Sequence, residues 1–497
     1  MNTNYPALIV IAPLLTALFC GIFSWCAKKL CYPVAFIGLF ISLFSAIKLL
    51  IHVISFGTIH YFMAGWKPPM GIEYRIDLLN SVVLVVITSI AIINFVASYK
   101  SIEQEIGEKA QAFYTIYLLF ITGLIGVTVT GDLFNLYVLL EITSLTSYAQ
   151  IAMGNKDRGP VASLNYIFMG VIGASFYLLG VGYLYIMTGS LNMMDVASLL
   201  QSIHGSSAVL IAFIFCFLGI WIKMAFFPLH VWLPNAYTYA PTAVSRAMAP
   251  LMTKVMVYVM IRLMITVFGL DYLFTTLHIS EAIVWLATIA IVAGAVMAMA
   301  QKNLKKMLTY IIVCEIGYMV GGAWLGNELG MTGAILHIIN DALMTFALFL
   351  AVGNIVYKLK NVNFDNLNGL FAKMPWTMAG FVLAAFSIIG IPPTCGFFSK
   401  WYLILGAIEK GAYHFAGALI ISSLLCAVLF FRIFEIGFFN NQEKDNHGGN
   451  HGDNKVIVMS EAPVSMVIPL LLVSLSLIIT GLYSNTIVNN IILPFLH

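Results

Sequence analysis

Long apolar runs alternate with short polar turns along the whole chain. Runs long enough to span a bilayer, about 20 residues each, fall at 6–26, 32–56, 76–98, 112–129, 132–153, 161–187, 207–227, 243–268, 282–300, 307–324, 330–356, 377–408, 414–438 and 464–485. This pattern predicts an all-α polytopic membrane protein of about fourteen transmembrane helices. Two runs are irregular. The seventh continues through a proline-rich stretch to Tyr239, and the twelfth is overlong and interrupted by Gly390, Pro392 and Pro393. Pro228, Pro234, Pro241 and Pro250 are each expected to break the helical ladder, because proline lacks the N–H that the ladder needs. Irregular backbone at membrane depth survives only where protein buries it or where it lines a cavity.

Composition agrees with this pattern. The 497 residues are 61% hydrophobic and 9% charged, against about 25% charged in an ordinary soluble domain. A net charge of +3 gives no footing for nucleic acid, and the basic residues are sorted by side instead. Sixteen of them fall on one side, among them Lys28, Lys29, Lys100, Lys156, Arg246, Lys305, Lys444 and Lys455; only Lys67, Arg75 and Lys410 fall on the other. With an even number of crossings, both termini are expected outside. The N-terminus lacks a basic n-region and a cleavage site, so the first span is expected to be retained. The seven cysteines are scattered without zinc-ligand spacing and read as small apolar residues. The polar segment 439–460 carries His447 and His451 and reads as a solvated loop, not a metal site. No nucleotide loop or cofactor motif occurs, so no cofactor, metal or catalytic residue is expected.

The charges left inside the spans carry the chemistry. Glu141 lies nine residues into the fifth run, ~14 Å deep at 1.5 Å per residue and close to the bilayer centre. A carboxylate there needs a cationic partner or a proton. Lys223 precedes the break in the seventh run, Lys254 lies eleven residues into the eighth, and Lys400 follows the break in the twelfth. Desolvated lysine readily loses and regains a proton, which suits a relay. Lys48, near a span end, is expected to snorkel. Glu315 lies near the middle of the tenth run. His337 and Asp341 are one turn apart on the eleventh and so share a face. His230 follows Pro228 on the first break, either as a proton carrier or as a hydrogen-bonded plug. A broken span with a lysine near its break thus occurs twice. Discontinuous helices in corresponding halves are the pattern of transporters built from inverted repeats.

The stretches GDLFNLYVLLEITSLTSY, IKMAFFPLHVWLPNAYTYAPTAVS, LKKMLTYIIVCEIGYMVGG and GIPPTCGFFSKWY resemble the antiporter-like membrane subunits shared by respiratory complex I and the Mrp-type multisubunit cation/proton antiporters. The resemblance covers 130–350 and 376–402, and within the family the likeness is to the Mrp type. It implies two inverted five-helix repeats with broken seventh and twelfth helices. Its implied organisation is a three-span region at 1–110, repeats at 111–268 and 282–438, and an inside loop with the last span at 439–497. By motif match, Glu141, Lys223, Lys254 and Lys400 take the positions of the family's relay residues. The resemblance implies a proton-translocating subunit of a Na+/proton antiporter in a bacterial inner membrane, working with other membrane subunits and surrounded by lipid. The alternatives are a pump module of a complex I-like or hydrogenase-like assembly, and a structural scaffold whose relay has decayed. Two departures stand out. Relatives often carry a basic pair in the eleventh span, where this chain reads HIINDALMT with Asp341 and Thr345, and Glu315 stands where relatives tend to be neutral or to carry histidine. Glu315 and Asp341, with His337, are therefore expected to form a shared-proton or cation-binding station.

Overall fold

The computed structural model describes residues 4–154, 157–438 and 459–497. Lys156, Lys444, Lys455, His447 and His451 lie outside the described residues. Among the described residues, twelve helices are long and apolar enough to cross a membrane. Two more of the predicted spans complete the fourteen. The fifth is a 20-residue helix whose glutamate and hydroxyl side chains dilute its apolar character, and the twelfth is split in two.

In chain order the spans are α1 (Tyr5–Cys26), α2 (Cys31–Phe56), α3 (Leu78–Ala97), α4 (Ala110–Val129), α5 (Leu133–Ala152) and α6 (Gly159–Thr188). There follow α7a (Ser207–Met224), α7b (Leu233–Tyr239), α8 (Thr242–Arg262), α9 (Ser280–Met299) and α10 (Leu304–Trp324). The last are α11 (Glu328–Leu359), α12a (Pro375–Ile389), α12b (Cys395–Lys410), α13 (Tyr413–Phe438) and α14 (Val464–Leu482). A small antiparallel hairpin, β1 (Ile59–Phe62) with β2 (Glu73–Ile76), fills the loop between α2 and α3. The apolar periodicity of the flanking spans gave no sign of it.

The helices form a shielded centre and a lipid-facing ring. In their most apolar stretches, α10 and α11 are 94% buried within the protein and α8 89%, against 39% for α1, α2 and α6. Exposed apolar side chains are cheap in lipid and exposed charge is not. The enclosed helices are accordingly the ones that carry Lys254, Glu315, His337 and Asp341. α11 lies against α8, α10, α12a, α12b and α14, which makes it the hub of the bundle.

Each broken helix ends its first half in a left-handed residue, Ala225 (φ 61°) after α7a and Gly390 (φ 92°) after α12a. Side-chain donors reach carbonyls in the last turn of each first half. Trp232 Nε1 donates to Ile222 O at 3.0 Å, and Lys400 Nζ donates to Ile388 O at 2.6 Å. Of the four prolines expected to break the ladder, Pro250 does not: it sits inside the continuous helix α8. Neighbouring helices enclose it on every side, and such packing lets membrane helices tolerate an interior proline.

The two halves repeat in their backbone. Asp132 bridges Asn192, with Leu133 N bonded to Leu191 O at 2.9 Å; Asn303 bridges Asn363, with Leu304 N bonded to Val362 O at 2.9 Å. Both bridges tie the start of a repeat's second helix to the loop after its third.

Two basic residues counted as inside-loop charges are corrected. Arg246 is fully buried in α8 and donates to Leu350 O at 3.1 Å and Asn354 Oδ1 at 2.8 Å on α11. Gly353 makes this possible, because a side chain there would collide with the guanidinium. Lys305 is buried and donates to Ala240 O at 2.9 Å, at the end of α7b. Both serve the joints between helices. Lys48 is exposed, with its ammonium 5.5 Å from the Phe44 ring centroid.

Candidate functional site

The enclosed helices bring most of the intramembrane charges into paired contacts. Lys223 occupies the last turn of α7a, where a cation faces the negative end of the helix dipole. Its Nζ lies 3.0 Å from Glu141 Oε1 on α5 and 2.7 Å from Ser144 Oγ, three residues further along the same helix. Lys223 is fully enclosed, whereas the Glu141 side chain keeps 23% exposure. The carboxylate thus has one edge open while its partner has none.

Lys254 is buried midway along α8, with its Nζ 2.9 Å from Asp341 Oδ2 on α11. It also donates to Ala249 O at 3.2 Å and Thr345 Oγ1 at 3.3 Å. Thr345, one turn after Asp341, donates to Asp341 Oδ1 at 2.7 Å. The substituted motif of the eleventh span therefore holds the central lysine with both replacing side chains.

His337, one turn before Asp341, has Nε2 2.5 Å from Glu315 Oε2 on α10 and Nδ1 2.8 Å from Ser399 Oγ on α12b. Glu315, His337 and Asp341 are all fully buried, and each offers a ligand atom within 4.8 Å of the others. Glu315 Oε1 is buried without a hydrogen-bond partner among the described residues. Two carboxylates and an imidazole at this spacing can share protons or hold a cation. The direct contacts, however, are Glu315 with His337 and Asp341 with Lys254.

Lys400 has no carboxylate partner among the described residues. Besides Ile388 O, it donates to Ser423 Oγ at 3.1 Å, and it lies 4.9 Å from the Tyr318 ring centroid. The same ring packs edge-on to His337 at 5.4 Å, and the Tyr318 hydroxyl meets Ser422 Oγ at 2.6 Å. Tyr318 thus stands between the imidazole and the last lysine. His230 joins no ion pair among the described residues. Its ring packs against Phe227 at 5.2 Å and Tyr310 at 6.2 Å, and its Nδ1 is buried without a partner.

Sequence reasoning missed the hydroxyl and aromatic partners Ser144, Ser399 and Tyr318, and named Thr345 only as a departure from the family pattern, not as a partner of Lys254 and Asp341. Helical spacing held the signal, since three of them lie three or four residues from Glu141, Asp341 or Glu315 and Ser399 adjoins Lys400. It also missed the pair of Arg262 with Asp77, whose two contacts measure 2.6 and 2.9 Å. That pair joins the last turn of α8 to the start of α3.

Residues 130–426 match the family described as "NADH:quinone oxidoreductase/Mrp antiporter, TM". The chain is 39% identical to NADH-quinone oxidoreductase subunit N of Desulforudis audaxviator, over 99% of this chain and 98% of the relative. It is 32% identical to the putative antiporter subunit mnhD2 of Staphylococcus haemolyticus, over 89% of this chain and 87% of that one. Among solved structures it is similar to a chain of the archaeal membrane-bound sulfane sulfur reductase, with a TM-score of 0.89, 27% identity and coverage of 98% and 96%.

Proposed function

The chain belongs to the family of NADH:quinone oxidoreductase and Mrp antiporter membrane subunits, and from that premise we propose that it carries protons in a multisubunit Na+/proton antiporter of a bacterial membrane. The observation that carries this reading is the succession of buried pairs, Glu141 with Lys223, Lys254 with Asp341, and Glu315 with His337, ending at Lys400. Buried ionisable groups are costly in a bilayer and by default mark an ion path. Protons pass along this row through the intervening hydroxyls and waters. Each pair opens and closes to hand charge to the next, and His230 serves at the first break. Residues 1–110 form a three-span region, 111–268 and 282–438 the two repeats, and 439–497 the inside loop and last span; both termini lie outside.

A second reading places the same subunit in a redox-driven assembly. The oxidoreductase relative, similar over nearly the full chain, and the likeness to the sulfane sulfur reductase favour it. Purifying the tagged chain with its native partners and reconstituting the complex in vesicles separates the two. The antiporter reading expects a Na+ pulse to dissipate an imposed pH gradient without an electron donor. Proton pumping that requires a donor, with iron–sulfur subunits copurifying, would replace it by the second reading.

Glu315, His337 and Asp341 form the station where protons are shared or a cation is held. Asp341→Asn removes the carboxylate paired with Lys254 and is expected to shift the pH optimum of transport. Glu315→Gln added to Asp341→Asn is expected to change little more. Independent, additive effects of the two single variants on the pH profile would rule out a shared station.

A further inference from the structure

Away from the buried row, the turn after α1, the ends of α2–α4 and Ser465 of α14 line a cleft of about 690 Å³, within the size range of small-molecule sites. Lys28 and Lys29, from the turn between α1 and α2, line it together with Tyr32, Tyr99, Glu103 and Tyr114. Neither lysine has a hydrogen bond or ion pair among the described residues, so the wall carries two free cations against one carboxylate. The tyrosines form a packed cluster, with Tyr32 4.9 Å from Tyr99 and 5.9 Å from Tyr114 between ring centroids. Just above the lysines, Ile22 and Trp25 of α1 are 61% and 93% exposed, as side chains that face acyl chains and headgroups are.

We propose that this cleft binds the headgroup of an anionic phospholipid, with the phosphate at Lys28 and Lys29, the glycerol against the tyrosines, and the acyl chains along the exposed face of α1. A basic pocket between helix ends, on the side where positive charge gathers, suits an anionic headgroup. A soluble phosphate would leave the adjoining apolar face unused. This inference is independent of whether the complex is an antiporter or a redox pump.

The test uses the purified complex in nanodiscs containing equal amounts of phosphatidylglycerol and phosphatidylcholine, with the lipid retained after detergent washing counted by native mass spectrometry. Wild type is expected to retain phosphatidylglycerol selectively. Lys28→Gln with Lys29→Gln is expected to lower that selectivity about 30-fold, since each near-surface lysine supplies roughly a five- to sixfold preference. Lys28→Arg with Lys29→Arg should preserve it. Ala110 also lines the cleft, and Ala110→Trp, which projects an indole into it without changing charge, should weaken it. Equal retention of both lipids by wild type would overturn the proposal. So would loss in the glutamine variant with full retention in Ala110→Trp, which would assign the effect to diffuse surface charge. Displacement of the lipid by inorganic phosphate alone would assign the cleft to a soluble anion instead.

Discussion

Lys254→Ala is expected to abolish proton-coupled transport while the complex still assembles. Lys254 is the titratable group of α8 at the centre of the row, and its ammonium meets Asp341 at 2.9 Å. Deleting one member of a buried ion pair can cost about 3–5 kcal/mol when the other charge is stranded. Thr345 continues to donate to Asp341 at 2.7 Å, so the carboxyl keeps a partner when the lysine is gone. Assembly is therefore preserved and the relay is not. Lys254→Arg sharpens the test. Arginine keeps the positive charge beside Asp341 but does not release its proton in a protein, so a relay fails with it and a merely structural pair does not. Vesicle assays of the pH gradient, with assembly checked by blue-native electrophoresis, distinguish the two; normal transport by assembled Lys254→Arg would remove Lys254 from the proton path.

Glu141→Gln is expected to reduce transport about tenfold or more, and Glu141→Asp distinctly less. Glutamine has the size of glutamate and still accepts a hydrogen bond from Lys223, now 3.0 Å from the carboxylate, but it withdraws the charge. An opposite charge at such a distance favours the charged form of its neighbour, and withdrawing it removes that bias from Lys223. Aspartate keeps the charge and is shorter by one methylene, which the partly open side of Glu141 lets Lys223 follow. Equal initial rates for the glutamine, aspartate and wild-type complexes in the same vesicle assay would break the coupling of Glu141 to Lys223.

Arg246 and Lys305 mark where the chain alone stops being informative. Both sit at predicted helix ends on the positive side, so each counted as a loop charge. Only packing reveals that Arg246 crosses to α11 over Gly353 and that Lys305 donates to the end of α7b. Hydropathy measures the average along one segment and is blind to which neighbour lies beside its last turn. The two broken helices were legible for the opposite reason. Proline and glycine act through local backbone geometry, and Pro392 and Gly390 exert it wherever the chain goes. Even so, Pro250 escaped the local rule, because enclosure by neighbouring helices compensated for its missing donor.

The sequence by itself determined the solvent, the number of crossings, the positions of both breaks and the identity of the buried charges. A bilayer penalises each exposed polar group severely and locally, so these features follow from short stretches read one at a time. The Glu141–Lys223 pair was also expected from the sequence; the tertiary structure decided how the central groups pair. Sequence placed Glu315 and Asp341 at similar depth on adjoining spans, yet Glu315 meets His337 while Asp341 meets Lys254 from a different repeat. Depth along a helix follows from counting residues at 1.5 Å each. The direction a side chain faces, and the helix it faces, depend on rotation and packing among fourteen rods, which no single segment encodes.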